Sequence, residues 1–533
     1  MSVSDVNMLD DDTQLHERVP HGYKLKSLLM DQTDPASSTS APHLSTAVFF
    51  PWHKGSIRTL WGGGRARPWS NTEEEWTKII GRWMGCLAVC AGDELRFVQT
   101  RGDKLTQFAA VTMRKDDKLK AVTWALDFKT LHPLVACAGV MGIIYILDVE
   151  AWKMIGSVTG HGGWITHLTT HPIRPDYILS TSYDLTARLW SIADPVDTPT
   201  MPIFWPEQKR LATDVDPELA FGQLDFGSTY RTPLIPIDAL VMRAGPPAGV
   251  PDVKQAGKGM GACVAVFKGA GSVLGGHDSW VMCADFHPTR PFVVTCGADR
   301  AIKIWRVPDF PTPETRPQRG ITYHIIERPL FSCTHLHETG VKYVAWLKED
   351  ILVSMSKFVA FNPLDPVGSI MVWKWLDLNR FAPEGLELRE HLVKPSYWDW
   401  TESRSYMTLA RIILPHESQS GWRLGSRFNS PLLFLTSKTD TVHAIDVAKH
   451  QGKAEDVRNR LRELDSRGAR KARNREVDGT EKVSLDDIPH PMITARRSGG
   501  SLQFLTGLQN PLAPGVIVGL GKDGVIALWR DSS

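Results

Sequence analysis

The chain lacks the groupings that catalysis and metal binding require. Its seven cysteines are an odd set with no Cys-x-x-Cys pair among 533 residues. That argues against zinc sites and disulfides, and for buried thiols in a reducing compartment. Cys137, Cys283 and Cys296 fall inside strand-like runs. There is no His-Glu-x-x-His, no glycine loop leading into Lys-Ser/Thr, and no nucleophile elbow. An enzyme is therefore not expected, and neither is a cofactor. The net charge of +2 is too small for whole-molecule binding of nucleic acid. No apolar run approaches the ~18 residues of a membrane helix. The start, MSVSDVNMLDDD, has neither the cationic nor the apolar part of a signal peptide. The expectation is a soluble, intracellular protein with no membrane partner.

What the chain does have is repetition. Residues 160–192 read GHGGWITHLTTHPIRPDYILSTSYDLTARLWSI, with His161 at the start, Asp184 in a turn and Trp190 six residues later. Residues 276–307 repeat the pattern with His277, Asp299 and Trp305. The C-terminus repeats its second half, with Asp523 six before Trp529. This spacing identifies WD40 repeats, each one four-stranded blade of a β-propeller. The Asp sits in the turn between the second and third strands, the His in the loop before the first, the Trp in the third. A buried carboxylate needs a donor, and the His supplies it. The WD40 pattern adds a Ser or Thr two residues before the Asp to link His to Trp. Ser182 fits that place, whereas Gly297 and Gly521 occupy it in the other copies and predict incomplete networks. These residues speak for fold, not chemistry.

The fold class is all-β: a seven-bladed WD40 β-propeller with long loop insertions and a disordered N-terminal tail. Seven blades of about 40–45 residues use roughly 300 residues, so the rest is tail and insertion. Residues 1–41 read as a disordered or partner-ordered tail, and 42–533 as the propeller, interrupted at 54–85, 193–262, 308–327 and 448–490. In the first insertion, Ser70 and Glu73 have capping-box spacing, and Trp76, Ile79, Ile80 and Trp83 form a helical stripe. That stripe packs on the propeller or is offered to a partner. The proline- and glycine-rich 193–262 stretch reads as a long loop. A degenerate sixth unit opens with YMTLARIIL within 405–447. The 448–490 insertion predicts a helix at VRNRLRELD, then the basic run Arg467, Arg470, Lys471, Arg473 and Arg475. That run is a nuclear-import signal, a DNA contact or a solvated loop.

The order His-Pro-Leu, Ala-Gly-x-x-Gly-Ile-Ile, Gly-His-Gly and His-Pro-x-x-Pro within 132–192 resembles the embryonic-ectoderm-development and extra-sex-combs family of Polycomb proteins (EED/ESC). GGHDSWVMCADF with CGADRAIKIWRV, and VKYVAWLKEDILVSMS with IMVWKW, resemble its next blades, and PWHKG its first strand. The likeness covers about 132–192, 276–306 and 328–375. It implies a non-catalytic, nuclear scaffold of Polycomb repressive complex 2 (PRC2). Its partners would be a SET-domain histone methyltransferase of enhancer-of-zeste type, other PRC2 subunits, and a histone H3 tail or nucleosome. Family members read trimethylated lysine 27 of histone H3 in an aromatic cage, since ring faces attract a quaternary ammonium. Here the cage positions fall on Thr46, on Lys120, and near Ala410 and Arg411, with Tyr406 as a shifted candidate. The expectation is a lost or altered cage. Trp164 and Trp280, each three after Gly-His, are candidate rim contacts for a partner peptide. An unrelated WD40 adaptor, such as a ubiquitin-ligase substrate receptor or assembly scaffold, is the alternative.

Overall fold

The computed structural model describes residues 23–29, 44–61, 71–195, 260–268, 275–308, 324–356, 368–382, 394–414, 423–425, 432–436, 441–446, 482–485, 492–494, 496–497, 500–501, 504–521 and 524–531. Their strands form seven four-stranded antiparallel sheets, two of them extended by a fifth, parallel strand, and one small hairpin of Arg496–Arg497 with Gly500–Ser501. Blade 1 spans 44–112, blade 2 119–158, blade 3 165–267, blade 4 281–333, blade 5 341–413, blade 6 423–494 and blade 7 504–531.

The fourth strand of blade 7 is Tyr23–Leu29, antiparallel to Ile526–Asp531. A tail over 1–41 therefore does not hold at these residues. Pairing with the last blade supplies the strand's backbone partners and closes the ring, as propellers of this type are expected to do with an N-terminal strand. The extended blades are 3 and 5. His324–Ile326 adds parallel to Met260–Phe267, and Lys482–Ser484 adds parallel to Tyr406–Ile413.

Tyr406–Ile413 corrects a second expectation. It pairs with Ser369–Trp375 and is the outer strand of blade 5, not the opening of blade 6. Its mostly half-exposed residues suit an outer strand. The two short helices Leu378–Phe381 and Tyr397–Thr401 separate it from its own blade in sequence and disguise the connection.

Thr72–Trp83 is a helix within the first insertion, with Glu73, Glu74 and Glu75 in its first turn and Arg82 in its last, as the helix dipole favours. Asn71 is the N-cap; Ser70 lies outside the described residues. Trp76, Ile79, Ile80 and Trp83 are all buried and pack with Phe50, Phe97 and Trp124 of blades 1 and 2. The stripe thus belongs to the core. Similar clusters fill the other blade interfaces, such as Val353 and Ile370 of blade 5 against Leu433 and Ile445 of blade 6.

Antiparallel blades give the ring two ends. Connections from second to third strand, and from one blade to the next, lie at one end, which holds both His161 and Asp184. Connections from first to second and third to fourth strands lie at the other. The five longest connections, 50–85, 196–259, 307–330, 376–405 and 447–491, are all of the latter kind.

Candidate functional site

At the Asp–His end, blade 3 builds a buried relay. Trp190 Nε1 donates to Ser180 Oγ at 2.7 Å, Ser180 Oγ lies 2.6 Å from His161 Nε2, and His161 Nδ1 lies 2.8 Å from Asp184 Oδ2. Gly162 N and Thr186 N also donate to Asp184. The linking hydroxyl is therefore Ser180, four residues before the Asp, not Ser182. The indole of Trp190 reaches Ser180, whereas Ser182 sits at the strand end, where its Oγ accepts from Asp184 N at 3.1 Å. Blade 4 repeats the relay in full through Thr295: Trp305 Nε1 donates to Thr295 Oγ1 at 2.9 Å, and Thr295 lies 2.8 Å from His277, which meets Asp299. Gly297 does not interrupt it. In blade 7 the equivalent position is Gly519, where an added Cβ would stand 2.7 Å from the Trp529 ring. The indole fills the space of the hydroxyl there. Asp523 lies outside the described residues.

Blade 5 holds a relay that the motif search missed. His337 Nε2 lies 2.8 Å from Ser354 Oγ, to which Trp373 Nε1 donates at 3.2 Å. Ser369 Oγ, 3.2 Å from His337 Nδ1, stands in for the Asp. The signal in the sequence is the offset: His161, His277 and His337 each come four residues before the first strand of their blade. Blade 2 uses Asp117, which accepts from Met141 N at 3.0 Å and Tyr145 Oη at 2.9 Å.

The relays set charge states. Burial pushes the His161 imidazole below its ordinary range, against the pull of Asp184. Burial would raise the Asp184 carboxyl, but His161, with Arg188 and Thr186, holds it below the ordinary carboxylate range. A neutral His161 donating from Nδ1 to an ionised Asp184 and accepting from Ser180 at Nε2 satisfies every group. His337, buried and near Arg411, falls to about 3. These groups are consumed in holding loops together, and none is free for proton transfer.

Trp164 and Trp280 do lie together on this rim, with a third ring between them. Trp164 stacks on Tyr183 (centroids 5.5 Å, planes 19°), and Tyr183 stacks on Trp280 (4.4 Å, 14°). Tyr183 belongs to the turn of blade 3 and donates its N–H to Trp164 O at 3.0 Å. All three are half-buried. The stack bridges blades 3 and 4.

The cage positions separate into two groups. Lys120 is the extra residue of a bulge at the Asp–His end of blade 2's first strand, and Thr46 follows the equivalent bulge residue, Ser45, in blade 1. Both are half-buried, in neighbouring blades. Arg411 instead lies on the outer strand of blade 5, paired with Met371 and bonded to Glu338 at 2.7 Å. The expected place directly before blade 6 is thus taken by the outer strand of blade 5, and the first strand of blade 6 starts only at Arg423. Tyr406, at the start of that outer strand, lies toward the end remote from Thr46 and Lys120, and meets Phe331. The structure does not join either residue to the Thr46–Lys120 pair. Arg467, Arg470, Lys471, Arg473, Arg475 and the helix expected at VRNRLRELD lie outside the described residues. Among the described residues no cluster of three or more His, Cys, Asp or Glu could hold a metal, and no helix is long and apolar enough to cross a membrane.

Comparison with known proteins agrees with this geometry. The family "WD domain, G-beta repeat" matches residues 152–191 and 263–306. The chain is similar to the Polycomb EED, esc and FIE proteins. It is 40% identical to Polycomb protein esc of Drosophila melanogaster over 250 residues, 44% of this chain and 42% of that protein. It is 24% identical over 260 residues to Polycomb protein EED of Chaetomium thermophilum, covering 48% and 33%. It is 24% identical over 250 residues to Polycomb group protein FIE1 of Zea mays, covering 45% and 38%. The matched region is thus less than half of each relative. In a crystal structure of Chaetomium thermophilum polycomb repressive complex 2, one chain superposes with a TM-score of 0.57 at 16% identity over 96% of this chain and 98% of that one. A structure of that complex with H3K27me3 and H3K27M gives 0.56 at 15% identity, over 96% and 98%. Those structures establish the likeness of fold.

Proposed function

We propose that the chain is a non-catalytic, nuclear WD40 scaffold subunit of a PRC2-like histone H3 lysine 27 methyltransferase. In this reading it holds an enhancer-of-zeste-type SET-domain subunit beside further PRC2 subunits. The observation that carries it is the 40% identity to esc over 250 residues, a longer stretch than the two segments that the WD40 family matches, 152–191 and 263–306. The relays support a scaffold rather than an enzyme, since their titratable groups are buried and mutually satisfied. Affinity purification of the tagged protein from its own cells, with mass spectrometry and a methyltransferase assay on histone H3, tests the reading. Recovery of a SET-domain protein with activity is expected. A cullin or ribosome-assembly set without one would leave only a generic WD40 adaptor.

Trimethyl-lysine reading is lost or moved in this proposal. Thr46 and Lys120 offer no ring face, and a lysine repels a methylammonium. Trimethylated histone H3 peptide is expected not to bind this chain at millimolar concentration; micromolar binding to the propeller would overturn the point.

A further inference from the structure

At the end of the long connections, three local irregularities each turn an apolar side chain outward between blades 1 and 2. Phe108 is the extra residue of a bulge in Lys104–Thr112, because Phe97 pairs Ala109 while Val98 pairs Gln107; bulges re-aim side chains. Trp152 occupies the left-handed region at φ 50°, which costs a bulky residue strain. Met84 ends the helix Thr72–Trp83 in an extended conformation. Their exposures are 46%, 44% and 51%. Phe108 and Trp152 lie 6.2 Å apart over a buried layer of Trp83 and Phe97. Exposed cations flank the patch: Lys153 follows Trp152, Arg82 precedes Trp83, Arg101 ends the strand Glu94–Arg101, and Lys104 begins the strand that carries Phe108, while Asp103 in the turn between them is paired with Lys26 and Arg530. The acid within it, Glu150, is mostly buried against Arg82 and Trp83.

The chain itself holds a complementary segment. Residues 1–22 precede the strand Tyr23–Leu29, and that strand lies beside Lys104–Thr112: Lys26 pairs with Asp103 at 3.0 Å, and Leu105 N donates to Ser27 Oγ at 3.2 Å. The strand therefore starts at Tyr23 beside the Arg101–Lys104 turn, since Lys24 pairs with Arg530 and Arg530 donates to Gly102 O, with Phe108 about 13 Å further along the neighbouring strand. Twenty-two residues can span roughly 70 Å. The segment reads MSVSDVNMLDDDTQLHERVPHG. Asp5, Asp10, Asp11, Asp12 and Glu17 face a single Arg18, and Val6, Met8, Leu9 and Leu15 are apolar.

We propose that residues 1–22 fold back onto the Met84–Phe108–Trp152 patch, their apolar side chains on the rings and their carboxylates on Lys104, Lys153 and Arg82. The proposal stands apart from the scaffold reading and does not depend on it. Zero-length carbodiimide coupling of the full chain tests it, with the bonds mapped by mass spectrometry on a mixture of isotopically light and heavy protein. Amide bonds from Asp10–Asp12 to Lys153 or Lys104 within one chain are expected. They should be lost in a Phe108→Ser/Trp152→Ser variant whose circular dichroism is unchanged. If that variant misfolds, Leu9→Ser/Leu15→Ser, outside the propeller strands, should abolish the same bonds. Bonds that join light to heavy chains would assign the patch to a second copy and overturn the proposal. So would bonds to other lysines only, none at all, or bonds that survive the apolar substitutions.

Discussion

The two ends of the propeller stabilise their connections by different means. At the Asp–His end the connections are shorter, and buried polar relays hold several of them: His161–Ser180–Trp190, His277–Thr295–Trp305 and His337–Ser354–Trp373. At the other end the connections are long, and aromatic packing holds them, as in Trp83 against Phe97, Trp124 and Trp152. A polar relay demands fixed residues at fixed offsets, so it leaves a pattern in sequence. Aromatic packing asks only for bulk near the right place, so it leaves composition and no spacing.

The comparison breaks if the relays contribute no stability. Ser180→Ala removes the acceptor of Trp190 and the partner of His161 in a fully buried site, and should cost about 2–4 kcal/mol. Ser182→Ala removes only a turn brace and should cost under about 1 kcal/mol. Urea unfolding of both variants decides which serine links the ring systems. Equal losses would restore Ser182 to the relay.

Acid should act through buried imidazoles, His337 of the blade 5 relay and His167 on the first strand of blade 3, outside the relays. Burial lowers the imidazole of His337 to about 3 and of His167 to about 4. Below pH 6.5 the unfolded chain takes up protons that these folded sites refuse, so stability falls as pH drops toward those values. Each histidine should contribute a loss of roughly 1.5 kcal/mol between pH 6.5 and 5. His337→Gln should flatten the curve by that amount; an unchanged slope would mean that His337 titrates normally in the fold.

Asp285 runs the other way. It lies on the first strand of blade 4 and accepts from Trp346 N of blade 5 at 2.9 Å. Burial pushes its carboxyl up to about 7, against the backbone donors Trp346 and Phe286. The folded state then holds a proton that the unfolded state releases above about pH 4, so this group's contribution falls as pH rises toward 7. Asp285→Asn keeps an acceptor for Trp346 without the charge, and should stabilise by about 1–2 kcal/mol at pH 8, discounted for partial exposure. The same variant should lose stability more steeply on acidification than the parent. A destabilised variant at pH 8 would show that the carboxylate is favourable where it sits.

What could be read from the sequence follows the same division. Asp184, Asp299, Trp190 and Trp305 announce the propeller because a hydrogen-bonded turn fixes their six-residue spacing. His337 repeats the four-residue offset of His161 and His277, but an Asp is missing from its relay and the turn beyond Ser354 is long, so no motif registers. Sequence spacing does not separate Ser180 from Ser182 as the linking hydroxyl, because both lie on one face of the same strand and only the reach of the indole distinguishes them. Tyr23–Leu29 alternates apolar and polar residues only over its first four positions, too short a run to stand out in the polar N-terminal stretch, and its burial does not follow that alternation, with Lys24, Leu25 and Lys26 exposed in a row. Tyr406–Ile413 reads as the opening of blade 6 rather than the end of blade 5 because a 30-residue connection, 376–405, hides which sheet it completes. Tyr183, the middle ring of the rim stack, carries no repeat signature, because Ala298 occupies the matching turn position in blade 4.

That stack offers the finest test of the contrast, since it is aromatic packing set at the end otherwise held by polar relays. Tyr183 and Trp280 lie 4.4 Å apart in nearly parallel planes and join blade 3 to blade 4. If the rings are structural braces, a double-mutant cycle of Tyr183→Ala and Trp280→Ala should show a coupling of about 0.5–1.5 kcal/mol, read by urea unfolding. Trp164, one ring further at 5.5 Å, should couple to Tyr183 and hardly to Trp280. A coupling near zero for the closer pair would mean that the rings meet without stabilising the rim. The partner-contact reading would then be favoured, because half-buried aromatic area that adds no stability is what a binding surface presents.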